Sequence, residues 1–492
     1  MKTLNRNSLN ESERSQFEQT IAAPVTVLQI GEGNFLRGFV DWMLQRCRDQ
    51  GLFHGSVAVT QPRPSGRAKI EALAAQDGIY TLVTRGLENG EKVERKETIS
   101  VFAEAFDPYS DWPRLASLAE SPDLRFVVSN TTEAGLAYRP EPYEEGKPIQ
   151  SFPGKIAWLL YRRYVAFGGA ADKGLIFLPC ELLERNGDEL KRCVLRYSED
   201  WALPQAFRDW VEARNRFLNS LVDRIVTGYP ADQADAWFAE WGYEDPLLNT
   251  AEPYHFWAIE AEPELGGELP LGQAGLNVNW VSDLKPYQLR KVRILNGAHT
   301  LMTPLALLHG LEYVRETMED SRFGPFVKEA VEREIVPAVP LPEEELTAYA
   351  ATTYERFLNP FINHRLSDIA MNSLSKFRTR VLPSLLHYPE RGLPLPDRIV
   401  RSLAGLLRYC KAEREGEEFR GRTLKGTAYT LRDDAALLGT VASVWAEGLP
   451  LEGTVGKLLA LSEIWGTDLS AVEGLAEKAA RYIREMEEAS DE

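Results

Sequence analysis

The chain has 492 residues, 44% hydrophobic and 26% charged, with a formal net charge of −17 at pH 7. That length exceeds one ordinary hydrophobic core and predicts two domains, while the composition argues against a disordered or fibrous chain. No Lys/Arg run has the length of a nucleic-acid tail, and no apolar run reaches the roughly 20 residues that span a bilayer, so neither nucleic acid nor membrane is expected as a partner. Four cysteines without a Cys-x-x-Cys pattern suggest neither a disulfide framework nor a zinc site. With a polar N-terminus unlike a signal or transit peptide, a cytoplasmic protein is expected.

Residues 25–30, VTVLQI, read as a buried strand followed at once by Gly31-Glu32-Gly33. Helical periodicity then sets in through Phe35, Phe39 and Met43, with Gly51 as its stop, and SVAVT (56–60) reads as the next strand. This is a βαβ opening. Further buried strands are expected at 125–129 and 174–178, the continuous apolar runs of a sheet covered on both faces. Between them, 80–102 alternates around Asn89-Gly90 and predicts an appended hairpin. Amphipathic helices are expected over 204–228, 286–310, 321–336, 342–358, 396–415 and 433–447. The fold class is therefore α/β, with a dinucleotide-type domain over 1–285 and a mainly helical domain over 286–492.

The loop Gly31-Glu32-Gly33-Asn34-Phe35 stands between a strand and a helix, the setting a pyrophosphate-binding turn requires. Its third small residue is replaced by Leu36. The second strand ends in Thr60-Gln61-Pro62-Arg63, without the carboxylate usual for an adenosine ribose, so the residues leave NAD and NADP both open. Asn130-Thr131-Thr132-Glu133 follows a buried strand and reads either as part of the cofactor site or as a helix N-cap.

The segment DLKPYQLRKVRILNGAHTLMTPLALLHG (283–310) carries Lys291, Asn296 and His299 beside an apolar stripe. On an ideal helix Asn296 and His299 are i, i+3 neighbours, Lys291 lies about 80° round from His299, and it sits roughly 7.5 Å below Asn296. Gly297 is expected to keep bulk from between them. Reduction of a ketone by hydride leaves an alkoxide that needs a proton. A buried lysine with its pKa lowered toward about 7–8 can supply one, an amide can donate to the oxyanion, and an imidazole can hold a neighbouring hydroxyl. The six histidines show no zinc-ligand spacing, so no metal is expected.

Gly31-x-Gly33-x-Phe35-x-Arg37 together with Lys291-x4-Asn296-x2-His299 resembles the mannitol dehydrogenase family of polyol-specific long-chain dehydrogenases. The similarity runs along nearly the whole chain and includes Asp223-Arg224 in FLNSLVDRI. IGEGNFLRGFVDWM, DGIYTLVTRG, SNTTEAGL and KPYQLRKVRILNGAHT are most similar to its hexuronate-catabolic branch. The resemblance implies a Rossmann-type domain, a helical C-terminal domain and a metal-independent, reversible reduction of a keto-sugar acid with NAD as cofactor. It implies Lys291 as general acid/base with Asn296 and His299 at the reacting carbonyl. Gly31, Gly33, Asn34, Phe35, Arg37, Asn130 and Thr131 would then serve the cofactor, and Asp223, Arg356 and Lys376 the substrate.

Arg378 is a further candidate base, and Arg37 equally suits a carboxylate. One departure is Leu182, where mannitol-type enzymes carry an oxyanion-stabilising Asn. The alternative is an enzyme of the same family acting on fructuronate, a polyol or a sugar phosphate, and a neutral polyol would remove the need for a substrate cation. A nucleotide-binding regulator without turnover would keep the glycine loop and have no use for Lys291. The expected partner is a small sugar acid, and the expected state a monomer or small homo-oligomer.

Overall fold

The computed structural model describes residues 1–489, which form two compact units: residues 1–86 with 92–284, and residues 87–91 with 285–492, described to 489. The centre of the first unit is a six-stranded parallel sheet of β1 (Val25–Ile30), β2 (Ser56–Thr60), β3 (Phe102–Ala105), β4 (Phe126–Ser129), β5 (Ile176–Pro179) and β6 (Arg216–Phe217). Their spatial order is β3-β2-β1-β4-β5-β6. That is the dinucleotide-fold order 3-2-1-4-5-6, whose direction reverses between β1 and β4.

Alternation within the apolar strands explains why both faces are buried. Val27, Val57, Val59, Val128 and Ile176 point into one core with Val40, Met43 and Leu44 of helix α1 (Val40–Asp49). Leu28, Ile30, Ala58, Val127 and Phe177 point into the other, with Ile156 and Leu160 of α2 (Phe152–Phe167) and Leu190 and Val194 of α3 (Asn186–Asp200). Each Val, Leu, Ile, Met or Phe side chain so removed from water contributes about 1.5–3 kcal/mol. All four cysteines are buried within these and the second unit's interiors as free thiols.

Two expectations are corrected here. The helix over 204–228 stops at Arg214, because the chain turns at Asn215 into β6 and then into a strand, Ser220–Asp223, paired antiparallel to Phe256–Glu260. Phe217, Leu218 and Val222 pack on the sheet, and tertiary pairing overrides the helical spacing. The helix after the glycine loop is also broken: Asn34–Arg37 ends at Gly38, and α1 begins only at Val40. Both residues of the Asn89-Gly90 turn have positive φ, as a tight hairpin turn requires.

The second unit is mostly helical. Its central helix α4 (Gly297–Leu308) packs on α7 (Asp397–Tyr409), where Ser402 Oγ donates to the Leu301 carbonyl at 2.8 Å, and α7 packs on α8 (Leu475–Glu488). Helices α5 (Glu343–Phe357) and α6 (Ser373–Arg380) lie between them in sequence. The expected helix over 396–415 ends at Tyr409, and Ala412–Glu415 opens a three-stranded antiparallel sheet with Glu418–Arg422 and Ala428–Leu431. No helix among the described residues is long and apolar enough to cross a membrane.

Candidate functional site

In the first unit, the loop after β1 and the loop after β4 meet at the point where strand order reverses. Gly31 has φ +141°, and a Cβ there would lie 2.9 Å from the Asn130 carbonyl oxygen, so only glycine lets the two loops close on each other. Gly33 has an ordinary extended φ, and a Cβ there would meet nothing within 4 Å. The space in front of it is open. It belongs to a cavity of about 450 Å³ whose wall includes Gly33, Asn34, Phe35, Asn130 and Thr131. That volume falls within the usual range of small-molecule sites, about 300–1,000 Å³. The same cavity is walled by Arg63, Lys69 and Arg139, cations suited to phosphate in a protein of net negative charge. An open glycine cradle, a strand-order reversal and local cations fit a dinucleotide.

A buried polar frame holds these loops. Gln29 Nε2 donates to the Gly31 carbonyl at 3.0 Å and to Asp41 at 3.1 Å. Burial pushes the Asp41 carboxyl up to about 8 against the opposing effect of Gln29, Arg37 and Tyr80. Arg37, only 2% exposed, donates to the Leu247 carbonyl at 2.5 Å and to Asn34 Oδ1 at 2.7 Å, with its guanidinium over the Tyr80 ring. It is a strut for Asn34 and not a wall residue, which corrects the expectation of a direct phosphate contact. Asn130 Nδ2 donates to the Cys180 carbonyl, and the Thr131 amide to buried Glu181 at 3.0 Å. No helix follows Thr131 until Phe152, so the N-cap reading of 130–133 does not apply. On the far rim, buried Lys155 donates to Tyr109 Oη at 2.7 Å and the Gln150 carbonyl at 2.9 Å, its pKa lowered by burial to about 7. Tyr109 in turn donates to the Pro62 carbonyl, tying two rim segments together.

In the second unit, the expected continuous helix over 286–310 contains a π-helical stretch, Lys291–Asn296. The wider i→i+5 ladder takes up one extra residue, about 100° of rotation. Lys291 and His299, about 80° apart on an ideal helix, thereby come to within about 20° of one line, and Lys291 and Asn296 to within about 40°. Lys291 and Asn296 form the two ends of this stretch and are half-buried, so the expectation of a buried lysine is corrected. A Cβ on Gly297 would lie 3.6 Å from the nearest atoms, so a methyl fits and this glycine is not needed for room.

His299 is buried, and its Nε2 has no hydrogen-bond partner among the described residues. Its ring stacks on Phe357 at 4.3 Å and meets His364 edge-on at 4.9 Å. Burial first, then the charges of His364, Arg356, Arg380 and Lys376, hold its pKa well below the ordinary value. The imidazole is therefore neutral, and its orphaned nitrogen invites a polar ligand. Arg356 comes from α5; Lys376 and Arg380 are i, i+4 neighbours on α6. Lys376 donates to the Ile369 carbonyl at 2.8 Å and Arg380 to Thr300 Oγ1 at 3.3 Å. Arg378 lies instead against Gly466.

Sequence reading missed Arg380, His364 and Phe357; the four-residue spacing from Lys376 was the available signal for Arg380. Asp223 ends its strand buried in the first unit opposite Phe256, and Leu182 is 69% exposed. Among the described residues no group of three His, Cys, Asp or Glu stands together as a metal-ligand set.

Residues 25–273 match the mannitol dehydrogenase Rossmann domain and residues 283–487 the mannitol dehydrogenase C-terminal domain. The altronate oxidoreductase of Bacillus subtilis (strain 168) is 42% identical over 481 residues, covering 98% of this chain and 96% of that protein. That of Yersinia enterocolitica is 41% identical over 466 residues, 94% of each. In fold, the chain is similar to a substrate-free D-sorbitol dehydrogenase (TM-score 0.77, 20% identity, 96% and 95% of the two chains). It is also similar to Pseudomonas fluorescens mannitol 2-dehydrogenase in complex with NAD and D-mannitol (TM-score 0.63, 22% identity, 96% and 93%). With both family domains matched in order across most of its length, the chain belongs to the mannitol dehydrogenase family of oxidoreductases acting on CH–OH groups.

Proposed function

We propose that the protein reduces D-tagaturonate to D-altronate reversibly, with NADH as the reductant and without a metal. The observation that carries this reading is the neutral His299, its Nε2 without a hydrogen-bond partner among the described residues, with the cations Arg356, Lys376 and Arg380 acting on it, a set suited to a hydroxylated carboxylate. The full-length identity to altronate oxidoreductases supports the same substrate. A nicotinamide dinucleotide, held by the loops at Gly31–Phe35 and Asn130–Thr131, would supply the hydride when bound.

The residues of the second unit manage the proton and the charge. Lys291 Nζ donates a proton to the carbonyl oxygen as it becomes an alkoxide, and takes it back when the alcohol is oxidised. The Asn296 amide donates to the same oxygen while its charge develops. His299 Nε2 binds the adjacent hydroxyl, which fixes the substrate's rotation about the reacting carbon. Arg356, Lys376 and Arg380 hold the carboxylate, Arg by its fork and Lys as a point charge.

The test is loss of reduced-nicotinamide absorbance with tagaturonate, fructuronate and fructose, for the wild type and Lys291→Ala. Tagaturonate should be preferred, and the variant should lose about 10²–10⁴-fold in kcat. Preference for fructose would overturn the substrate assignment, and an unimpaired variant would overturn the role of Lys291.

A further inference from the structure

Dinucleotide folds usually read the adenosine ribose with a carboxylate at the end of the second strand, about 20 residues beyond the glycine loop. Here β2 ends at Thr60, and Gln61-Pro62-Arg63 follows. Gln61 is buried and its Nε2 donates to Asp107 Oδ1 at 2.8 Å, so that nitrogen is engaged behind the cavity wall. The carboxylate at this end comes from the glycine loop itself. A Cβ on Gly66 would collide with Glu32 Oε1, 3.0 Å from Glu32 Cδ and 2.6 Å from Gln61 Cβ. Glu32 therefore lies over the turn that follows β2, in the room Gly66 leaves. Glu32, Pro62, Arg63 and Lys69 all wall the same cavity, and the charges of Lys69 and Arg63 act on Glu32.

We propose that Glu32 is the residue that selects between NAD and NADP. Its carboxylate accepts the ribose 2′-hydroxyl of NAD and repels the 2′-phosphate of NADP. Arg63 and Lys69, partly neutralised by it, form a latent 2′-phosphate site that opens when the charge at position 32 is removed. Two kinds of observation support the geometry. Desolvation raises the Glu32 carboxyl and lowers the Lys69 ammonium, the marks of charges crowded into a partly dry wall. Gly66 has an ordinary right-handed conformation, so close approach rather than backbone shape accounts for its lack of a side chain. This inference rests on the cavity being the dinucleotide site.

The test is isothermal calorimetry on the full chain with four probes: NADH, NADPH, 5′-AMP and adenosine 2′,5′-bisphosphate. The last two differ only in the 2′-phosphate. Wild type is expected to prefer the probes without it. Glu32→Gln should shift both affinity ratios toward the phosphorylated partner by about tenfold or more, the scale of one charge-assisted contact. Glu32→Ser, smaller and still uncharged, should shift them in the same direction. Adding Lys69→Ala or Arg63→Ala to Glu32→Gln should remove the gained affinity for the 2′-phosphate. Ratios unchanged in both Glu32 variants, with NADH still bound, would overturn Glu32 as the selector and leave the dinucleotide site standing. Folded wild type that binds neither NADH nor 5′-AMP would overturn the cavity as that site, and this inference with it.

Discussion

Gly31 and Gly33 sit two residues apart, yet a methyl group would do opposite things to them. At Gly31 it would strike the Asn130 carbonyl from a backbone conformation that side chains rarely adopt. Gly31→Ala should therefore cost about 1–3 kcal/mol of stability, seen as a lower thermal midpoint. At Gly33 the methyl would enter open space. Gly33→Ala should leave stability within about 0.5 kcal/mol of wild type while weakening NADH in calorimetry, because it fills the room a ligand would use. Equal losses of stability in both variants would remove the ligand explanation for Gly33. The sequence marks both glycines alike, since a G-x-G pattern does not say which one answers to the chain and which to a ligand. Asp41 supports this loop at a titration cost. Its folded pKa, about 8, is above the ordinary carboxyl value of 3.8. Between those values the folded state holds a proton that the unfolded state releases. Its contribution is thus fully present below the unfolded value and lost as pH rises through about 8. Asp41→Asn should gain stability over wild type as pH rises from 5 to 9, on the order of 4 kcal/mol in all, at roughly 1.4 kcal/mol per pH unit until about 8. A gain that stays flat with pH, read from denaturant midpoints, would exclude a shifted Asp41.

Helix α6 sorts its cations by face. Lys376 and Arg380 act on His299, whereas Arg378, between them in sequence, lies against Gly466. Lys376→Ala and Arg380→Ala should each raise KM for a uronate by about tenfold or more, since each removes a charge-assisted contact. Arg378→Ala should leave KM unchanged. A rise in KM from Arg378→Ala equal to the others would show that net charge, and not a carboxylate contact, is being measured. The sequence offered Lys376 and Arg378 together and passed over Arg380, because a run of bases does not declare its facing until the helix is packed. The π stretch at Lys291–Asn296 was equally hidden. Its apolar residues keep a helical rhythm, and one extra residue per turn is invisible in composition. Yet that residue turns Lys291 toward Asn296 and His299. The strands β1, β2, β4 and β5 were legible because burial on both faces demands unbroken apolar runs. β6 and the strand at Ser220–Asp223 were not, because Phe217, Leu218, Leu221 and Val222 suit a helical face as well as a sheet edge.

At the scale of the whole molecule, a net charge of −17 coexists with a cavity walled by Arg63, Lys69 and Arg139 and with a second cationic cluster about His299. Overall acidity argues against a nucleic-acid tail but says nothing about such local reversals, which depend on residues far apart in sequence. Family motifs supplied what composition did not: Gly31 and Gly33, Lys291, Asn296 and His299 were named from spacing, while Lys69, Arg139 and His364 became visible only once the chain was folded. The buried thiols carry a different implication. All four lie out of reach of solvent, and burial raises Cys47 to about 11 and Cys193 to about 12. In native buffer a thiol-exchange reagent should register none of them, and in denaturant all four; rapid native reaction of even one would contradict this packing. The native chain should thus be silent toward maleimides. A single cysteine placed on its surface would be the sole attachment point for a dye, so the molecule can be labelled site by site with its own cysteines left in place.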